Sequence, residues 1–295
     1  MIDAVLGLLG VWTLGLGYFF IKDIYVHRKN LEQETHFGLN IGFGFITDLL
    51  DTLGIGSFAV TTALFRGFKQ VKDRLLPGTL NVGHALPTVC EALAFLTVIK
   101  VEFLTLVSMI AASVVGAIGG AGIVARLPER KIRLVMGSAL LVTDFLMISG
   151  QLGWIKELGV GNAIGLTGVK LIIAIIGNFI LGVLMTAGVG LYAPCMALVY
   201  LLGMSPAVAF PIMMGSCAFL MPPASLKFIK AEAYNRKAAL GLAVGGIFGV
   251  LTAVYIVKSL PLRVLTWVVV GVIFITSLIL IRAALRSGTP DPGRP

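Results

Sequence analysis

Residues 45–64 read FITDLLDTLGIGSFAVTTAL, and residues 179–198 read FILGVLMTAGVGLYAPCMAL. Overlaid at a shift of 134 residues, the two stretches agree at nine positions. The pairs are Phe45/Phe179, Ile46/Ile180, Leu50/Leu184, Thr52/Thr186, Gly54/Gly188, Gly56/Gly190, Ala59/Ala193, Ala63/Ala197 and Leu64/Leu198. Pro77/Pro211 and Gly137/Gly271 continue the register. Apolar composition alone gives a few coincidences, and nine in one stretch point to an internal repeat. The enclosing apolar tracts, 38–65 and 169–202, are too long for one membrane helix of about 20 residues. Each is interrupted by Thr-x-Gly-x-Gly. Paired glycines weaken a helix by about 1 kcal/mol each relative to alanine, and they permit a sharp reversal. Each tract is therefore expected to be a broken, re-entrant helical hairpin.

The rest of the chain agrees with a membrane setting. It has 295 residues, of which 58% are hydrophobic and 13% charged, and its mean hydropathy is +1.00. Soluble domains run at about 45–50% apolar and about 25% charged. An ordinary water-soluble enzyme, a disordered chain and a secreted disulfide scaffold are thereby excluded. The apolar runs are long and continuous, unlike the alternating strands of a membrane barrel. Seven of them suit single spans: about 4–21, 76–99, 102–124, 134–150, 206–224, 238–257 and 263–282. The first lacks a basic leader and a small-residue cleavage site, so a retained helix is expected. Cys90, Cys195 and Cys217 lie in apolar runs without metal-type spacing.

The +9 formal charge is an orientation signal. With both hairpins entering and leaving on one face and the N-terminus outside, the segments 22–37, 66–74, 125–133, 225–237 and 282–295 share the cytoplasmic side. They hold 18 of the 23 Lys and Arg residues, leaving Lys100, Lys156, Lys170, Lys258 and Arg263 on the other. That bias is the positive-inside rule, and it collapses if either hairpin is a complete span. The expected fold is an all-α polytopic membrane protein, one membrane domain over residues 1–295. It has seven transmembrane helices plus two broken hairpins. An extra helix and linker (1–37) precede repeat 1 (38–151) and repeat 2 (168–285). Each repeat is a hairpin followed by three spans, an odd number, so the second copy is inverted. Inverted repeats with discontinuous helices are typical of secondary transporters, with the substrate near the midplane.

Four stretches carry a resemblance: DTLGIGSFAV (51–60), PGTLNVGHALP (77–87), TAGVGLYAPCMAL (186–198) and FPIMMGSCAFLMPP (210–223). The chain from about Gly38 to Arg282 resembles the TauE/SafE sulfite-exporter-like family of membrane permeases. That resemblance implies a carrier for sulfite, organosulfonates such as sulfoacetate, or related small anions, in a bacterial inner membrane. The first glycine stretch departs from the family pattern: it is less glycine-rich and lacks the proline that Pro194 supplies in the second.

Independently of that resemblance, a helix beginning after each break offers free N–H groups and about half a positive charge to an anion. Gly54, Gly56, Gly188 and Gly190 shape the breaks, and Ser57 and Tyr192 add hydroxyls. The following helices contribute Thr79, Asn81 and His84, or Gly215, Ser216 and Cys217. The alternative use of these small residues is helix packing. Asp48, Asp51, His84, Glu91 and Asp144 are ionisable groups inside apolar spans, where such groups are expensive. Asp48 and Asp51 share a helical face. A proton passing between them and His84 permits proton-coupled anion movement; otherwise they bond to helix termini or face the cytoplasmic mouth. The stretch 66–76 reads as amphipathic, either lying along the anionic inner leaflet or forming a solvated loop, and Pro87, Pro211, Pro222 and Pro223 read as kinks.

Small anions and the lipid bilayer are the expected partners. Nothing in the sequence calls for a cofactor, a metal or nucleic acid, and nothing supports a homodimer. A channel-like facilitator for another small inorganic or carboxylate anion is the alternative. An intramembrane enzyme is disfavoured. Asp48 and Asp51 share one helix where an aspartyl protease needs facing helices, and Asp144 lies in no recognisable motif.

Overall fold

A computed structural model describes residues 2–124, 129–152, 161–185, 191–259 and 261–286. Their helices are α1 (Ile2–Val26), α2 (Phe37–Thr52), α3 (Ser57–Gly67), α4 (Leu76–Val98), α5 (Phe103–Val124) and α6 (Glu129–Gln151). There follow α7 (Gly168–Met185), α8 (Tyr192–Leu201), α9 (Ala209–Lys230), α10 (Arg236–Ser259) and α11 (Leu262–Arg286). The protein is a multi-pass helical membrane protein in composition. Five helices are long and apolar enough to cross a bilayer: Val5–Val26, Gly168–Met185, Pro206–Lys230, Arg236–Ile256 and Thr266–Leu285.

Four of the seven expected spans are in that set. Of the other three, 102–124 appears as a shorter apolar stretch, Phe103–Gly119. The remaining two, α4 and α6, have 23 residues each but are not among the five. Thr79, Asn81, His84 and Glu91 dilute α4, and most of that helix is buried by protein; α6 opens on Glu129, Arg130, Lys131 and Arg133. Conversely α7, expected as one arm of a hairpin, is itself long and apolar enough to cross.

The first break takes the predicted place. Leu53 to Gly56 reverse the chain between α2 and α3. The Gly54 N–H donates to the Asp51 carbonyl at 2.7 Å and the Ile55 N–H to the Leu50 carbonyl at 3.1 Å, the bond pair of a Schellman cap. Gly54 (φ +98°) closes α2 and Gly56 (φ +92°) opens α3, a left-handed geometry that favours glycine. The second break, Thr186 to Gly190, lies outside the described residues, and with it Gly188 and Gly190.

In the 66–76 stretch, α3 ends at Gly67, Lys69 adopts φ +51°, and a short 3-10 turn covers Asp73–Leu75. Pro211 falls in the first turn of α9, where a missing N–H removes no helical bond; Pro87, Pro222 and Pro223 lie inside helices.

The chain forms two compact units. Unit 1 comprises Met1–Phe103 and Met214–Leu260, and unit 2 Leu104–Met213 and Pro261–Pro295. In unit 1, α10 lies against α2 so closely that side chains are absent at the contact. A Cβ on Gly44 would overlap the Leu242 carbonyl, one on Gly245 the Ile41 carbonyl, and one on Gly249 the Phe45 carbonyl. In unit 2, α5 and α7 meet the same way: Gly116 abuts the Phe179 carbonyl and Gly182 the Ser113 carbonyl. The Asn178 amide also donates to the Met109 carbonyl at 2.7 Å. At the edge of unit 1, Asp23 of α1 accepts hydrogen bonds from the Tyr234 hydroxyl at 2.5 Å and from Arg236 Nε at 2.7 Å. Burial, with the Asp23 carboxylate beside it, raises the Tyr234 phenol above its ordinary range.

Gly245→Ala is expected to lower stability by about 1–3 kcal/mol, the usual cost of overpacking. Gly42→Ala, whose Cβ meets nothing within 4 Å, should instead raise it by up to about 1 kcal/mol through helix propensity. Thermal melts of the two variants in detergent test this; equal melting temperatures would contradict the close α2–α10 contact.

Candidate functional site

Helical spacing concentrates the polar side chains of unit 1. Asp48 and Asp51 lie three apart on α2, Ser57 and Thr61 four apart on α3, and His84 and Glu91 seven apart on α4. Each pair therefore shares one face of its helix. Asp48, Thr61, His84 and Glu91 have 0% exposure, and Asp51 and Ser57 no more than 4%.

His84 Nδ1 lies 2.8 and 3.0 Å from the two Asp48 carboxylate oxygens. Its other nitrogen, Nε2, lies 3.0 Å from the Thr61 hydroxyl. Thr61 directs its single proton to the Ser57 carbonyl at 2.8 Å, so it accepts from Nε2–H. One further proton then sits between Nδ1 and Asp48. With the proton on either group, the pair is joined by a strong hydrogen bond and carries no net charge. The Phe58 ring lies 5.8 Å from the imidazole. On the far side, Gly246 of α10 leaves room for Asp48: a Cβ there would overlap the carboxylate and the Pro87 ring.

Asp51 performs a different task. Its Oδ1 accepts the Ser57 N–H at 2.8 Å and its Oδ2 the Ser57 hydroxyl at 3.1 Å. Gly56 has no side chain with which to cap α3, and the cap comes from six residues upstream. The N–H expected to hold a substrate anion at this break is thus occupied by the protein's own carboxylate. Glu91 accepts from the Thr52 hydroxyl at 2.7 Å, while Thr52 also lies 2.7 Å from the Asp48 carbonyl. One hydroxyl proton serves only one of these, so both contacts are satisfied when the Glu91 carboxyl brings a proton of its own.

The remaining sequence-derived candidates are dispersed. The Thr79 hydroxyl donates to the Leu75 carbonyl at 2.7 Å and accepts the Asn235 N–H at 2.9 Å. The Asn81 amide donates to the Pro77 carbonyl at 3.0 Å, and the Asn81 carbonyl accepts from Ser225 at 3.0 Å. These bonds hold α4 to α9 and to the α9–α10 connection. Gly215, Ser216 and Cys217 are buried on α9, also in unit 1, and Tyr192 is buried at the start of α8 in unit 2. Lys170 donates from the surface to the Leu202 carbonyl at 3.2 Å. None of the three cysteines is in a disulfide. Among the described residues, no group of three or more His, Cys, Asp or Glu side chains is arranged to hold a metal ion. Sequence reasoning missed Thr61 and Gly246. Thr61 carried a signal, lying one helical turn beyond Ser57, whereas Gly246 carried none. No family model, curated protein or solved structure matches this chain.

Asp51→Ala should uncap α3, at a cost of about 1 kcal/mol or more, and speed hydrogen exchange at the amides following Gly56. Asp51→Asn, which keeps a capping oxygen, should lie between wild type and alanine. Exchange in peptides spanning 53–62 that matched wild type in Asp51→Ala would contradict the cap.

Proposed function

We propose that this chain is a proton-coupled secondary transporter of a bacterial inner membrane, moving small sulfur-containing anions such as sulfite or organosulfonates. The observation that carries the reading is the fully buried Asp48–His84 pair. Desolvating two ionisable groups is costly, and an ion pair in the interior is seldom the most stable choice. Inside a membrane protein such groups mark proton or ion pathways.

An internal comparison separates this cluster from the needs of the fold. The residues 134 positions beyond Asp48, Asp51, Ser57, Thr61, His84 and Glu91 are Gly182, Met185, Leu191, Cys195, Ala218 and Ser225. None of them is an acid or a histidine. Yet close contacts, some to backbone and some through the Asp48 and Asn178 side chains, recur in register. Phe45/Gly249 corresponds to Phe179/Gly116, Asp48/Gly246 to Gly182/Ser113, and Gly44/Leu242 to Asn178/Met109. The α2 and α7 members are 134 residues apart, and the α5 and α10 members one residue fewer. This agreement supports two inverted repeats, each hairpin lying against a span of the other repeat. The contact geometry persists without charges in the second half, so the charges in the first serve something else.

Under this reading the proton on Asp48–His84 is the coupled ion. A proton reaching Asp51 weakens its hold on Ser57, and the freed N–H then takes a substrate oxygen at the start of α3. The TauE/SafE-like glycine motifs support the anion class, and the 18-to-5 charge bias supports a periplasmic N-terminus and a cytoplasmic C-terminus. Nothing in this cycle calls for a covalent step, in keeping with a carrier and not an enzyme.

Sulfite or sulfoacetate uptake into proteoliposomes should accelerate under an imposed pH gradient. Asp48→Asn and His84→Gln should lose that acceleration while still inserting and folding. Equal acceleration in both variants and wild type would exclude the pair as the proton carrier.

A further inference from the structure

Unit 2 contains an ionisable side chain that the Asp48–His84 site does not use. Asp144 on α6 is 3% exposed, and its Oδ1 has no hydrogen-bond partner. α6 packs against α8 and α11 within the unit. Each of those helices brings a hydroxyl in the same condition, Tyr200 from α8 and Thr276 from α11, both buried at the oxygen and unpartnered. Local register relates the three. Leu140 and Thr143 of α6 line one apolar groove with Leu198 and Leu201 of α8. Gly137, about two helical turns before Asp144, abuts Ser277 and Ile281 of α11. Each of the three polar groups therefore lies within about two turns of an observed contact between its helices.

Among the described residues of α6, α7, α8 and α11, the basic residues stand near the helix ends. The titratable groups of α8 are Tyr192, Cys195 and Tyr200, none of them cationic. The arginines of α11, Arg263, Arg282 and Arg286, lie in its first and last two turns. On α7, which lines the same groove, Lys170 sits in the first turn and reaches the Leu202 carbonyl. The basic residues of α6 itself, Arg130, Lys131 and Arg133, are about three turns away. An uncompensated buried charge costs several kcal/mol. The neutral acid avoids that cost and supplies an O–H of its own.

We infer that Asp144 carries a proton in unit 2, as a neutral acid that takes up and returns its O–H during transport. Its part in the cycle rests on the proton-coupled reading above, whereas its protonation stands on this geometry alone. The second half of the sequence again offers a contrast, with Leu278 standing 134 residues on.

The test uses dicyclohexylcarbodiimide, an apolar reagent that modifies protonated carboxyls in apolar surroundings. An apolar groove of about 240 Å³ is lined by Leu140 and Thr143 of the same helix as Asp144. The purified full-length protein is treated across a pH series, and adducts are located by mass spectrometry. The expected result is an adduct on Asp144 that declines as pH rises, survives in Asp48→Asn and is absent from Asp144→Asn. Asp144→Leu should melt at the wild-type temperature or above it, because it removes a lone acid from the interior. No adduct on Asp144 at any pH, in protein that still melts cooperatively, would overturn the inference. A lower melting temperature for Asp144→Leu would also overturn it, by showing that the acid supports the fold. Failure of the transport reading appears elsewhere, in uptake that ignores the pH gradient while Asp144 is still labelled, and it would remove the role in the cycle.

Discussion

Asp48 and His84 lie 2.8 Å apart with no exposed surface, and a pair that dry constrains every helix around it. Without water, each polar atom needs a protein partner. Thr61 takes the second imidazole nitrogen, Thr52 bridges to Glu91, and Asp51 turns away to cap α3. Room for the carboxylate exists only because α10 presents Gly246 at that point. The glycines on α2 and α10 draw the two backbones together, and that approach shields the pair from lipid and water alike.

The same approach occurs between α5 and α7, where Gly116 and Gly182 replace the glycines of α10 and α2. There the enclosed side chains are not charged. Close helix contact through small residues is thus the shared framework, as expected where lipid gives apolar side chains no reason to prefer one another. Among the described residues, the buried acid–histidine pair adjoins the α2–α10 contact and not the α5–α7 one.

Much of this was legible before any coordinates. The break at Thr52 to Gly56 and the embedded acids follow from composition and glycine spacing. Four of the seven expected spans are long and apolar enough to cross a bilayer. His84, Glu91 and Asn81 make α4 too polar to join them, yet neighbouring helices cover most of it. Conversely α7 is apolar enough to be taken for a complete span. The site was half legible. That Asp48, Asp51 and His84 belong together was readable, but Asp51 capping α3 was not, since the cap reaches across a reversal whose angle depends on Gly54 and Gly56. Gly246 was illegible because its purpose is set by a carboxylate almost 200 residues earlier.

The account's central claim is that a proton travels with the anion. The most direct measurement is lumenal pH in proteoliposomes during sulfite flux driven by its own gradient, with no pH gradient imposed and the membrane potential clamped. Sulfite itself moves protons by re-equilibrating with bisulfite, so a fully ionised organosulfonate such as sulfoacetate serves as the second substrate. The account predicts that lumenal pH shifts in step with movement of either anion and stays constant when the anion is omitted. Sulfoacetate flux at the same rate with unchanged lumenal pH would contradict it and leave a channel-like facilitator in its place.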